Sequence, residues 1–338
     1  MEPDLPKTDA PQVPGTQPAE SQQTPQIPEL PNLPVFVLPP MGPLDVYIPA
    51  RPPERRRVLP LVLFGLTCVT TFAAGVVHWN GSLLDPSQPQ EFLQHLSQHW
   101  LEGLEYMVGV IGILLAHEMG HFLMTLRHRV PASFPYFIPM PVLLTGTMGA
   151  VIKMDGSRAD RKQVFDIGLA GPLLGLVIAV PLLCLGIAHA GVAHGDDGGF
   201  QIGQPLLVKL LLPVLRPDLK EGVILAKNPL LMAAWFGMLI TGLNMMPVSQ
   251  LDGGHVIYGL FGRHSKIIAR AFLLSAIGYM VFAENYFWFV MVVLVTFLGV
   301  DHPPTYNDNV KLGPWRYALG VLSLAIPVLC FMPTPFIE

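Results

Sequence analysis

The stretch ILLAHEMGHFLMTLR, residues 113–127, decides how the rest of the chain is read. It lies in an apolar run long enough to cross a bilayer, yet it carries His117, Glu118 and His121. Hydrocarbon has no water to solvate such groups, so polar side chains at that depth are expensive. On a helix, residues four apart stand one turn above each other on the same face. Two imidazoles so placed can take two corners of a tetrahedral zinc site. Glu118 leans beside such a metal rather than onto it, where a carboxylate can take the proton of an attacking water.

His-Glu-x-x-His on a helix is the zinc metalloprotease signature, with a known rate of chance matches. Two satisfied core histidines and a stray glutamate are the competing reading. A catalytic zinc needs a third protein ligand and one open position. Most of the other histidines are expected in loops. The better candidate is Asp252, in NMMPVSQLDGGH, residues 244–255. The second and fourth apolar runs both head inward, so their late residues share a depth. His121 is six residues before Arg127, about 9 Å along a helix. Asp252 lies between the end of the fourth run and Arg263. A plain polar turn of Asp252 with Gly253 and Gly254 competes with the ligand role.

Bulk composition agrees with a membrane setting. Of 338 residues, 51% are hydrophobic and 13% charged, where soluble domains carry about 25% charged residues. Mean hydropathy is +0.48. A net charge of −4 offers no argument for a nucleic-acid partner. Cys68, Cys184 and Cys330 are too scattered for a disulfide framework or a Cys-x-x-Cys site and read as packing residues.

Residues 1–57 are rich in proline and glutamine and lack an apolar period. That composition cannot bury a core and predicts a disordered cytoplasmic tail. It has no signal-peptide pattern. RPPERRR, residues 51–57, precedes the first apolar run, 58–79. Positive charge beside a span marks the cytoplasmic side, which predicts a cytoplasmic N-terminus. Residues 80–103 contain no Lys or Arg and are expected as an exterior loop. Further spans are expected over 104–126, 164–188 and 229–248, two across 267–300, and a last one over 313–332. LLVKLLLPVLR, residues 206–216, is too short to cross.

Beyond these readings the chain resembles the site-2 proteases, intramembrane zinc metalloproteases, and in particular the branch with plant chloroplast members and bacterial relatives. The matching segments are HEMGH at 117, FPYFIPMP at 134, GTMGAVI at 146, GLAGP at 168 and TGLNMMPVSQLDGGH at 241. They cover about residues 100–265. The resemblance implies one Zn2+ per chain on His117, His121 and Asp252, with Glu118 as the acid-base. It gives Asn244 a role near the scissile carbonyl. An amide buried in a span needs a partner and could donate to an oxyanion, although helix–helix hydrogen bonding would also satisfy it.

GTMGAVI has the glycines and β-branched residues of a short strand or hairpin. The resemblance implies that such a segment, with Gly146, Thr147 and Gly149, offers an edge to an unwound substrate. A structural re-entrant loop is the alternative. GLAGPLLG reads as close helix packing with no chemistry of its own.

The expected fold is an all-α polytopic membrane protein with six to seven transmembrane helices, a short re-entrant β-hairpin and a three-helix metalloprotease core. Its parts are a tail (1–57), a first helix and exterior loop (58–103), a catalytic core (104–265) and C-terminal helices (266–338). The partners implied are the lipid bilayer and a transmembrane protein substrate, in a bacterial cytoplasmic membrane. A metal transporter and a membrane-embedded peptidase acting on soluble peptides are the competing functions.

Overall fold

The computed structural model describes residues 58–80, 89–193, 201–219, 223–248 and 250–337. The Pro-rich tail and its RPPERRR end lie outside these residues. The described chain is mostly helical. Helix α1 (Val58–Val76) leads into α2 (Pro89–His128), a 40-residue element that bends at His99, where φ is −122° and ψ 18°. Residues 89–103, expected as exterior loop, are therefore helical. Their Gln, Ser, Glu and His side chains hide the helix from an apolar-period reading.

Strands β1 (Tyr136–Pro139) and β2 (Thr147–Val151) form an antiparallel two-stranded sheet, pairing Tyr136 with Val151 and Phe137 with Ala150. The hairpin leans on α1, where Phe64 and Phe137 meet edge to face at 5.1 Å. Gly146 turns it at φ +75°, and a Cβ there would stand 2.5 Å from the Thr70 carbonyl oxygen. Only glycine fits both demands.

Helix α3 (Arg161–His189) opens with a capping box between Asp160 and Gln163. A short strand β3 (Gln201–Ile202) and the ten-residue α4 (Leu206–Leu215) follow, α4 being too short to cross, as its sequence predicts. Helix α5 (Pro229–Asn244) is capped by Asn228, whose side-chain oxygen accepts from the Leu231 amide. It is 16 residues long rather than the 20 expected, and most of it is buried among its neighbours. Pro247 cannot continue a helix, and the chain restarts as α6 (Asp252–Phe261). Helices α7 (Ser265–Phe282), α8 (Phe289–Leu298), α9 (Pro314–Ser323) and α10 (Ala325–Cys330) complete the bundle. A last strand, β4 (Phe336–Ile337), pairs with β3.

Among the described residues, four helical stretches are long and apolar enough to cross a membrane: Val58–Val76, Pro89–His128, Arg161–His189 and Asp252–Phe282. Small residues set how closely the helices cross. A Cβ on Gly120 would stand 2.5 Å from the Ala170 carbonyl, and one on Gly109 would stand 2.7 Å from Ala233. Arg161, at the start of α3, donates to the carbonyls of Gly259 and Leu260 at 3.0 and 3.2 Å. These are the free carbonyls at the end of α6, so α3 fixes the helix whose first residue is Asp252.

Candidate metal centre

The bend of α2 leaves its second half regular, so His117 and His121 keep one face, with rings 4.9 Å apart. Asp252 arrives from the first turn of α6. Its Oδ2 lies 3.1 Å from His117 Nε2 and its Oδ1 3.3 Å from His121 Nε2. The donor atoms of the three residues lie within 4.8 Å of one another. His121 Nδ1 donates to the Ile167 carbonyl at 2.8 Å. That bond fixes the tautomer and turns Nε2 toward Asp252, as carbonyl partners do for metal-binding histidines. His117 is 2% exposed and Glu118 4% exposed. Two imidazole nitrogens and a carboxylate, converging in a buried place with one ring anchored from behind, are a donor set that fits zinc.

Helix α3 shapes the space around these rings. A Cβ on Gly171 would overlap the His121 ring, and one on Gly175 would stand 3.2 Å from His117 Nδ1. Gly168 admits the Cβ of His255, to which its own Cβ would come within 2.5 Å. The GLAGPLLG segment, read as packing alone, is thus also the cradle for both histidine rings.

A cavity of about 320 Å³ joins these groups. His117, Glu118, His121 and Asp252 line it, and so does Asn244, the last residue of α5. The segment Ala150–Ile152 forms one wall. Gly146, Thr147 and Gly149 belong to the same hairpin but are not among the residues lining the cavity. Thr147 is fully buried and its hydroxyl donates to the Ile138 carbonyl at 2.9 Å.

Sequence reasoning missed two histidines beside the site. His255 Nδ1 lies 2.7 Å from His302 Nε2, and both residues line the cavity. Tyr258 stacks on His302 at 4.2 Å, and its hydroxyl donates to Asp308 at 2.6 Å. His255 was within reach of the sequence, being three residues after Asp252 and so one turn along the same helix. His302 comes from beyond α8, and no local pattern announces it.

A family model described as peptidase family M50 matches residues 105–283, more than half of the chain. The chain is 29% identical over 293 residues to the protein named probable zinc metalloprotease EGY1, chloroplastic, of Arabidopsis thaliana, covering 82% of this chain and 53% of that protein. It is 30% identical over 294 residues to the rice protein of the same name, from Oryza sativa subsp. japonica, covering 82% and 50%. The protein named probable zinc metalloprotease EGY2, chloroplastic, of Arabidopsis thaliana is 26% identical over 283 residues, covering 81% and 48%. The chain spans about half the length of these relatives. No solved structure matches it.

Proposed function

The chain belongs to peptidase family M50, and from that membership we propose that it is a zinc metallopeptidase hydrolysing a peptide bond in or beside a membrane-spanning helix of a substrate protein. The observation that carries this reading is the shared cavity. Glu118 and Asn244 border the same space as His117, His121 and Asp252, at the end of apolar helices.

Zinc held by His117, His121 and Asp252 supplies a Lewis acid that makes a water more acidic and a carbonyl more electrophilic. Glu118 accepts the proton of the attacking water and returns it to the leaving amine. The Asn244 side-chain amide donates to the carbonyl oxygen as negative charge develops there. The hairpin forms a sheet of two strands among the described residues, so each strand keeps an edge without a strand partner. Ala150–Ile152, on the cavity wall, offer backbone groups to a substrate that must unwind to expose its amides. Gly146, Thr147 and Gly149 hold that segment in its hairpin. A second, apolar cavity of about 740 Å³ adjoins the site through Leu251, which lines both, and this supports a substrate approaching from the bilayer.

The finer organisation follows the same reading. The catalytic core is 104–265, with α2, α3 and α5 as its three helices. It is preceded by the tail 1–57 and the 58–103 segment and followed by helices in 266–338. Six to seven segments cross the membrane: α1, α2, α3, α5, α7 and the α9–α10 pair make six, and the ten-residue α8 makes a seventh only together with its flanking chain. Arg127, Arg129, Lys153, Arg158, Arg161 and Lys162 cluster at the active-site end of α2 and α3. That clustering supports a cytoplasmic active site and N-terminus; the membrane we propose is a bacterial cytoplasmic one. Protease protection of an N-terminal tag in sealed vesicles tests the orientation, and a protected tag in right-side-out vesicles is the expected result.

The function is tested with Glu118→Gln in the full chain, assayed in membranes on a single-span substrate. Cleavage should fall by about 100- to 10,000-fold while zinc content is unchanged. An unchanged rate would overturn the assignment. Equal cleavage of short soluble peptides would replace the spanning substrate with a soluble one.

A further inference from the structure

A second pair of histidines four apart, His95 and His99, stands on α2 where the helix bends. His78, from the turn after α1, faces them, and the three offer ligand nitrogens within 4.8 Å of one another. The His78 and His99 rings meet edge to face at 4.4 Å, and His95 stacks on His99 at 5.7 Å. Glu102 holds two of the three. Its Oε2 is 2.5 Å from His78 Nε2 and its Oε1 3.0 Å from His99 Nδ1. A carboxylate bound to the ring nitrogens is the usual way to orient metal-binding imidazoles.

A plain hydrogen-bonded cluster of neutral histidines around Glu102 leaves two things unexplained. His95 Nδ1 is buried without a hydrogen-bond partner, which a native fold ordinarily avoids. The backbone also departs from ordinary geometry at two of the three residues. His78 sits at φ +48°, a region costly for a side chain bearing a Cβ, and His99 interrupts its helix. Such departures persist where the surroundings impose a particular side-chain placement.

We propose that His78, His95 and His99 form a second transition-metal site, with Glu102 as its positioning residue, at the end of α2 opposite the first. Three imidazoles select zinc, copper or nickel over magnesium or calcium. All three rings are half-buried, so an ion can enter from solvent. Eighteen residues separate His99 from His117, about 27 Å of helix, close to the thickness of a hydrocarbon core. The two sites therefore stand at opposite faces of the membrane. None of the four outer residues lines the inner cavity.

The test is metal stoichiometry on the full chain in detergent, stripped with chelator and equilibrated with Zn2+. The wild type should bind two equivalents per chain and His95→Ala/His99→Ala one. In His117→Ala/His121→Ala, which leaves the outer triad intact, one equivalent should remain. Loaded there with Cu2+, it should show nitrogen couplings from three imidazoles in its electron paramagnetic resonance spectrum. One equivalent in the wild type, none in His117→Ala/His121→Ala, or two retained in His95→Ala/His99→Ala would each overturn the proposal.

Discussion

Helix α2 carries two histidine pairs at identical spacing, and the chain treats them in opposite ways. His117 and His121 stand on regular helix, the first buried and the second largely so, and receive their carboxylate from Asp252, 131 positions beyond His121. His95 and His99 stand at a bend, half-buried, and find their carboxylate at Glu102, three residues past His99. The inner group exists only once α2, α3 and α6 have packed. The outer one needs only α1 and the start of α2. Identical spacing thus specifies a face of a helix and nothing more; what the face meets determines the chemistry.

The contrast can be broken most severely at Asp252. Asp252→Ala should abolish turnover and remove one zinc equivalent, the outer one remaining, and elemental analysis beside an activity assay reads both. Asn244→Ala should lower kcat by about 100- to 1000-fold with zinc content intact, and a normal rate would refute the oxyanion role. At the outer site, Glu102→Gln should weaken Zn2+ binding by about 10- to 100-fold, measured by competition with a chelator in the His117→Ala/His121→Ala background. The gentlest perturbation is Gly175→Ala, whose new methyl meets His117 Nδ1 at 3.2 Å. It should cost about 1 kcal/mol of stability, seen as a small drop in melting temperature that is larger for the zinc-loaded protein than for the stripped one.

That His117, His121 and Asp252 come together was legible because the information is local or topological. His117 and His121 declare themselves by a four-residue spacing, and Asp252 by a depth argument that needs only the direction of two helices. The outer histidines were not legible for a related reason. A stretch without Lys or Arg reads equally well as exterior loop or as polar helix, and only the continuity of α2 decides between them. The length of α5 was misjudged because burial among neighbours lets a central helix be shorter than a lipid-facing one. Contacts such as Arg316 with Asp166, at 2.6 and 3.1 Å across 150 positions, have no local signature at all.

That ion pair has a further consequence. It fastens α9 to α3, while Asp166 also accepts from His128 at the end of α2. His302, Pro303 and Pro304, which close one side of the cavity, come from the chain just before α9. All of these C-terminal residues lie past position 283, where the family match ends, whereas every ligand candidate and Glu118 lie before it. The wall of the cavity made by His302, Pro303 and Pro304 is thus held in place by α9 as well as by His255 and Tyr258 of α6, so a change in α9 reaches the cavity without touching the residues of α2.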